Sequence, residues 1–176
     1  MCISVEDWKF INSFAPWLSA LGTLLAVAVS LYISFSTRKI NLKISSGIYT
    51  FNENGIDEDY LGIQVTNIGF RTVYLNNFVS IAFRAGGFFN KTNIGIGHKY
   101  IDPDKSSNFP CKLGENEVAQ VFIKIRNTDG NWLENFKKDH LSCRKISSLR
   151  IIVFPNIGKP FKVKPDKSIS KILDAI

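Results

Sequence analysis

Histidine and cysteine, the residues on which most metal sites and much nucleophilic chemistry depend, are scarce here: two histidines and three cysteines in 176 residues. His140 and Cys143, at i and i+3, would share a helical face, but no second pair is spaced to close a tetrahedral zinc site. No glycine-rich phosphate loop followed by lysine and serine or threonine occurs, and no cysteine has catalytic surroundings. The acidic cluster Asp57-Glu58-Asp59 reads as a solvated turn without the further ligands that calcium requires. A helical ribonuclease with arginine four to six residues before histidine is also excluded, since Arg84 and Arg126 each lie 14 residues ahead of His98 and His140. The expectation is a protein that is not an enzyme, with no cofactor, no metal and no small-molecule substrate.

Charge is missing altogether from Phe14 to Phe35, a run of 22 residues, FAPWLSALGTLLAVAVSLYISF. At about 1.5 Å per residue this makes a helix of about 33 Å, enough to cross a hydrocarbon core of about 30 Å. The run predicts a transmembrane helix over 14–36, with Asn12 or Ser13 capping its start and Pro16 in its first turn. Trp8 and Trp17 at one rim and Tyr32 and Phe35 at the other suit the two membrane interfaces. Two rival readings are a buried helix of a soluble core and a secretory signal cleaved near Ser34-Phe35-Ser36. Against the signal stand the length of the apolar run and the acidic Glu6 and Asp7 before it, where signals begin positive.

Ahead of the span, Ser4 and Asp7 suggest a capped short turn, and Ile3, Trp8, Phe10 and Ile11 an interfacial foot over residues 1–13. Arg38, Lys39 and Lys43 follow the apolar run directly, a basic flank suited to anionic headgroups and to the cytoplasmic side. That orientation leaves residues 1–13 outside the inner membrane and residues 40–176 in the cytoplasm. The remainder from Arg38 onward is basic, with 21 lysines and arginines against 13 acids, a net +8. An anionic bilayer surface and nucleic acid are the partners such a balance allows, although the lysines are scattered, as on any solvated surface.

On a helical wheel Ser19, Thr23, Ala26, Ser30, Ser34 and Thr37 share one face, while Leu21, Leu24, Leu25, Ala28, Leu31, Tyr32 and Phe35 lie opposite. Helices that associate in lipid use small residues for close approach and hydroxyls for hydrogen bonds, so this face is the expected seam or pore lining of a homo-oligomer. The alternative is that each hydroxyl bonds to its own backbone one turn back.

Beyond Thr37 the apolar period changes from helical to alternating. Ile40, Leu42 and Ile44 begin a strand; Leu61, Ile63 and Val65 form another after a turn over NENGIDED. Val73 and Leu75 open a run that continues through Phe78, Val79, Ile81 and Phe83 to Gly86-Gly87. A short strand is expected near Ile94 to Ile96, then Ala119 to Ile125, then a helix over Asn131 to Leu141 with Trp132, Leu133 and Phe136 buried. LRIIVF and PFKVK should pair as a hairpin through a tight Asn-x-Gly turn, and SISKILDAI closes the chain as a helix capped by Ser168. The exposed aromatics and lysines between Phe88 and Phe109 suit single-stranded nucleic acid, or else are core and rim.

The fold class read from these patterns is a membrane-anchored all-β protein: one N-terminal transmembrane helix, then an antiparallel β-sandwich with one or two short helices. Three stretches, Val65-Thr66-Asn67-Ile68-Gly69-Phe70-Arg71-Thr72-Val73-Tyr74-Leu75, Leu113-Gly114-Glu115 and Phe154-Pro155-Asn156-Ile157-Gly158-Lys159-Pro160-Phe161, resemble the strand and turn pattern of immunoglobulin-like modules behind a single span in small bacterial membrane proteins. In size and layout the whole chain also resembles the small accessory membrane proteins encoded beside the RNA-guided ribonuclease of type VI-B CRISPR loci. That resemblance implies an oligomeric inner-membrane pore that perturbs the membrane during phage infection, with the ribonuclease or its RNA products as partners. The competing reading is a tethered sandwich that docks a protein or nucleic acid, with the helix as its anchor. An impermeant maleimide should leave Cys111 and Cys143 unlabelled in intact spheroplasts and label them after lysis; labelling before lysis reverses the topology.

Overall fold

Glu6 and Asp7, the acidic pair ahead of the apolar run, sit in the first turn of a helix, where the exposed N–H groups favour negative charge. In the computed structural model, which describes residues 5–53, 55–77, 80–85, 92–127, 130–141 and 146–175, helix α1 runs from Val5 to Thr37, 33 residues or about 50 Å. Asn12 and Ser13 therefore do not cap its start. They lie inside it, and the Ser13 hydroxyl donates to the Phe10 carbonyl at 2.7 Å. The expected interfacial foot is helical from Val5 onward, reinforced by an edge-on Phe10–Phe14 contact at 5.0 Å. The chain divides into two compact units, Met1–Lys39 and Ile40–Ile176.

The second unit begins with two 12-residue strands, β1 (Leu42–Glu53) and β2 (Ile56–Asn67), paired antiparallel from Leu42↔Asn67 to Glu53↔Ile56. They run through most of NENGIDED, which is strand and not turn. The reversal falls between Glu53 and Ile56, with Gly55 at φ +82. Asparagine-glycine between alternating residues is the tight-hairpin signal, and the flanking polar residues zip across the strands: Asn52 donates to Asp57 and Thr50 to Asp59, both at 2.7 Å.

The run from Val73 to Phe83 is likewise two strands with different partners. β3 (Val73–Leu75) pairs with β6 (Cys111–Leu113), whereas β4 (Ile81–Ala85) pairs with β5 (Thr92–Gly95) and with β10 (Arg150–Val153). Between them Asn77 accepts the Ser80 N–H with both its carbonyl and its side chain, turning the backbone. Phe78, Val79, Gly86 and Gly87 fall outside the described residues. β7 (Val118–Lys124) joins β2 to complete a sheet of order β1-β2-β7, and a second sheet has the order β11-β10-β4-β5. All pairings among the named strands are antiparallel.

β10 and β11 (Phe161–Val163) do pair, but through a seven-residue connection, Phe154 to Pro160, not a tight turn. Pro155 and Pro160 cannot donate to a ladder, so pairing stops short of both. A ribbon of β8 (Arg126–Asn127) and β9 (Gly130–Asn131) leads into the helical insert. Asn131 caps α2 (Trp132–Phe136) by accepting the Leu133 N–H, and a wider π turn continues to Leu141. Trp132, Leu133 and Phe136 are buried. The last helix, α3 (Lys167–Ala175), is capped by Asp166, whose carboxylate accepts the Ser168 N–H at 2.8 Å; Ser168 is not the cap.

Ile63, Val65, Val121 and Ile123 from one sheet and Ile81, Phe83, Ile151 and Val153 from the other belong to a single apolar core, with Leu133, Phe136, Ile169 and Leu173 packed into it. Among the described residues one polar side chain in this interior is completely covered. Asn67, at 0% exposure, donates to the carbonyls of Arg71 (2.8 Å) and Leu113 (3.0 Å) and accepts the Gly69 N–H at 3.1 Å. Asn67→Ala removes all three bonds and should cost about 3 kcal/mol, read as a lower urea midpoint of the full chain in detergent.

Candidate functional site

Trp8 to Thr37 forms the one helix among the described residues that is long and apolar enough to cross a membrane, and none of its apolar stretch is buried. Phe14, Trp17, Leu24, Leu31, Tyr32 and Phe35 are all largely exposed. Of the small-residue face, Thr23 donates to the Ser19 carbonyl (2.8 Å), Ser30 to Ala26 (2.8 Å), and Thr37 to Ile33 (3.0 Å) and Ser34 (3.2 Å). These hydroxyls are thus satisfied within the helix. What the face offers outward is low relief: Ser19, Ala26 and Ser34 between the bonded residues, and Gly22, beside which there is open space. Arg38 and Lys39 follow the helix end, and Lys43 stands exposed on β1 opposite Thr66.

A second cluster lies on the outward face of the first sheet. Gly62 has no side chain because Tyr49 and Phe122 pack over it; a Cβ there would lie 2.5 Å from the Tyr49 ring. Tyr49, Phe51, Tyr60 and Phe122 make edge-on contacts with centroids 5.4–5.5 Å apart. The Lys105 ammonium sits 4.9 Å above Tyr60 and 5.6 Å above Phe51 and pairs with Asp102 at 3.2 Å. Tyr60 donates to Glu58 at 3.0 Å, and Lys124 donates to the same carboxylate at 2.6 Å. The lysine bond holds the Glu58 carboxyl below its usual range. Burial, with the Glu58 and Asp102 carboxylates beside it, pushes the Tyr60 phenol far above its own. Asp57, Glu58 and Asp59 therefore each have a partner on a strand.

The same geometry accounts for much of the loop before Phe109. Ile94, Ile96 and Ile101 are buried, Tyr100 and Phe109 pack on the core, and Lys99 lies over the Tyr100 ring at 4.7 Å. Residues 88–91 of that loop lie outside the described residues. His140 touches the edge of Phe136 at 5.6 Å; Cys143, its expected neighbour, is outside the described residues. Among the described residues no group of three histidine, cysteine, aspartate or glutamate side chains is placed to hold a metal ion. The half-buried Cys111 thiol is raised by desolvation, which disfavours the nucleophilic thiolate.

A cleft of about 500 Å³ opens between Asn76, Asn77, Ser80, Asn93, Phe154 and Asn156. Sequence reasoning missed it because its asparagines come from three separate segments; only the Asn76-Asn77 pair marks a turn in advance. No protein-family model, curated protein or solved structure matches this chain.

Because the folded state holds Tyr60 neutral, its contribution to stability is complete below the ordinary tyrosine value of about 10 and is lost as pH rises from there toward the folded value. An alkaline titration should show one of the five tyrosines ionising only as the β unit unfolds. Tyr60→Phe should remove that late phenolate absorbance.

Proposed function

We propose that this chain is a single-pass membrane protein whose helices self-associate through the Ser19, Thr23, Ala26, Ser30, Ser34 and Thr37 face and perturb the membrane they enter. The complete exposure of the apolar stretch in α1 carries the reading. Leaving that many large side chains in water, at about 1.5–3 kcal/mol each, opposes a dissolved state by tens of kcal/mol. A hydroxyl turned onto its own helix leaves a smooth groove, and small residues with little relief let two backbones approach closely. Two antiparallel sheets around one core support an immunoglobulin-like sandwich for the β unit, on the cytoplasmic side by its basic flank. The likeness of layout to CRISPR accessory proteins supports a pore-forming role in antiviral defence, alongside an RNA-guided ribonuclease or its RNA products.

A second reading, the tethered binding module, is favoured by the asparagine-lined cleft. Among the described residues its walls carry no charged side chain, as a neutral polar ligand or peptide would require. Two double variants separate the readings. Thr23→Leu with Ser30→Leu fills the small face and should abolish membrane depolarisation and the slower-migrating oligomer on blue-native gels. Leu24→Ala with Leu31→Ala, on the opposite face, should leave both nearly intact at matched expression. A monomer in mild detergent, or equal loss in both variants, overturns self-association and leaves the tethered module.

A further inference from the structure

Three exposed apolar side chains crowd the end of the β unit at which it begins. Ile68 is 55% exposed, Phe70 69% and Ile157 50%. Ile68 donates its N–H to the Asn41 carbonyl at 2.9 Å, which ties its loop to the first residues of the unit. Gly158, next to Ile157, lies against Ile40: a Cβ built on it would be 3.5 Å from the Ile40 side chain. The Ile157 loop is also joined to β3, the strand that follows the Ile68 loop. Asn156 donates its N–H to the Tyr74 carbonyl at 3.0 Å and accepts the Tyr74 N–H with its side chain at 3.3 Å. Buried Asn67 holds the backbone of Gly69 and Arg71 on either side of Phe70, so that ring is displayed on a fixed loop.

Exposed lysines accompany the apolar tips: Lys43 on β1 and Lys159 two residues beyond Ile157. Of the acids nearby, Glu117 turns its carboxylate back onto the Gly114 N–H at 2.6 Å. Ile40 is three residues past Thr37, the last residue of α1, so at most about 11 Å of chain separates this end from the helix terminus. We infer that Ile68, Phe70 and Ile157 dip into the headgroup layer of the bilayer, with Lys43 and Lys159 on anionic lipid phosphates, so that the β unit docks on the membrane surface at its first strand. Apolar tips between cations are the composition that interfacial binding uses. The inference rests on α1 spanning the membrane.

The test uses the full chain in vesicles of phosphatidylcholine and phosphatidylglycerol, with Cys2→Ser, Cys111→Ser and Cys143→Ser and an environment-sensitive fluorophore on one introduced cysteine. Phe70→Cys and Ile157→Cys report the docking face, and Leu24→Cys reports the span. Ile56→Cys reports the far hairpin tip, 11 register steps from the Ile40 end and so about 36 Å away. At positions 70 and 157 the fluorophore should be quenched by lipids spin-labelled near the headgroup, with iodide access about tenfold lower than at position 56. That protection should weaken in pure phosphatidylcholine; no change there overturns the role given to the cations. Deep lipid quenching at position 24 with full iodide access at 70 and 157 overturns docking and leaves the span intact. No lipid quenching at position 24 overturns the span itself. Protection at 70 and 157 without lipid quenching assigns the patch to a protein partner or a second copy and also overturns docking.

Discussion

Unmet burial is the constraint from which the rest follows. The apolar side chains between Trp8 and Thr37 are exposed all round, and in a spanning arrangement the bilayer supplies the favourable transfer that water cannot. At about 50 Å, α1 exceeds both the hydrocarbon core and the headgroup layers of about 40–45 Å, so its ends reach the aqueous phase in any spanning arrangement. In such an arrangement Trp8 and Phe35 would fall at the two interfaces, with Glu6 and Lys9 toward water.

The β unit answers the same demand internally. Its sheets share one apolar core, and polar groups that enter it are fully paired, as Asn67 illustrates. Outside the core, side chains that look free in the sequence are engaged with one another. Lys124 pairs with Glu58, and Lys105 with Asp102 above two aromatic rings. The net +8 thus overstates the charge open to partners, while Lys43 and Lys159 stand exposed close in sequence to Leu42 and Gly158.

Hydroxyl geometry also changes how the small face of α1 is understood. Composition alone treats serine and threonine as donors offered to a neighbouring helix or to water. With Thr23, Ser30 and Thr37 bonded to carbonyls of their own helix, the face offers chiefly its shape, and the proposed association would rest on close backbone approach.

Periodicity by itself determined the apolar helix, the change to strands after Thr37, the strand at Val118–Lys124, and the buried side of α2, since each is a local repeat set by 3.6- or 2-residue geometry. The polar stretch NENGIDED reads as one long turn in the sequence, whereas the strands run through most of it, because the cross-strand hydrogen bonds that make such residues good strand partners appear only once the register exists. Only the tertiary structure decided that Val73 and Ile81 belong to different sheets, and that the loops carrying Ile68 and Ile157 both reach the first residues of the β unit. Each of these depends on which distant backbone groups come within hydrogen-bonding reach, and a one-dimensional pattern carries no information about that distance.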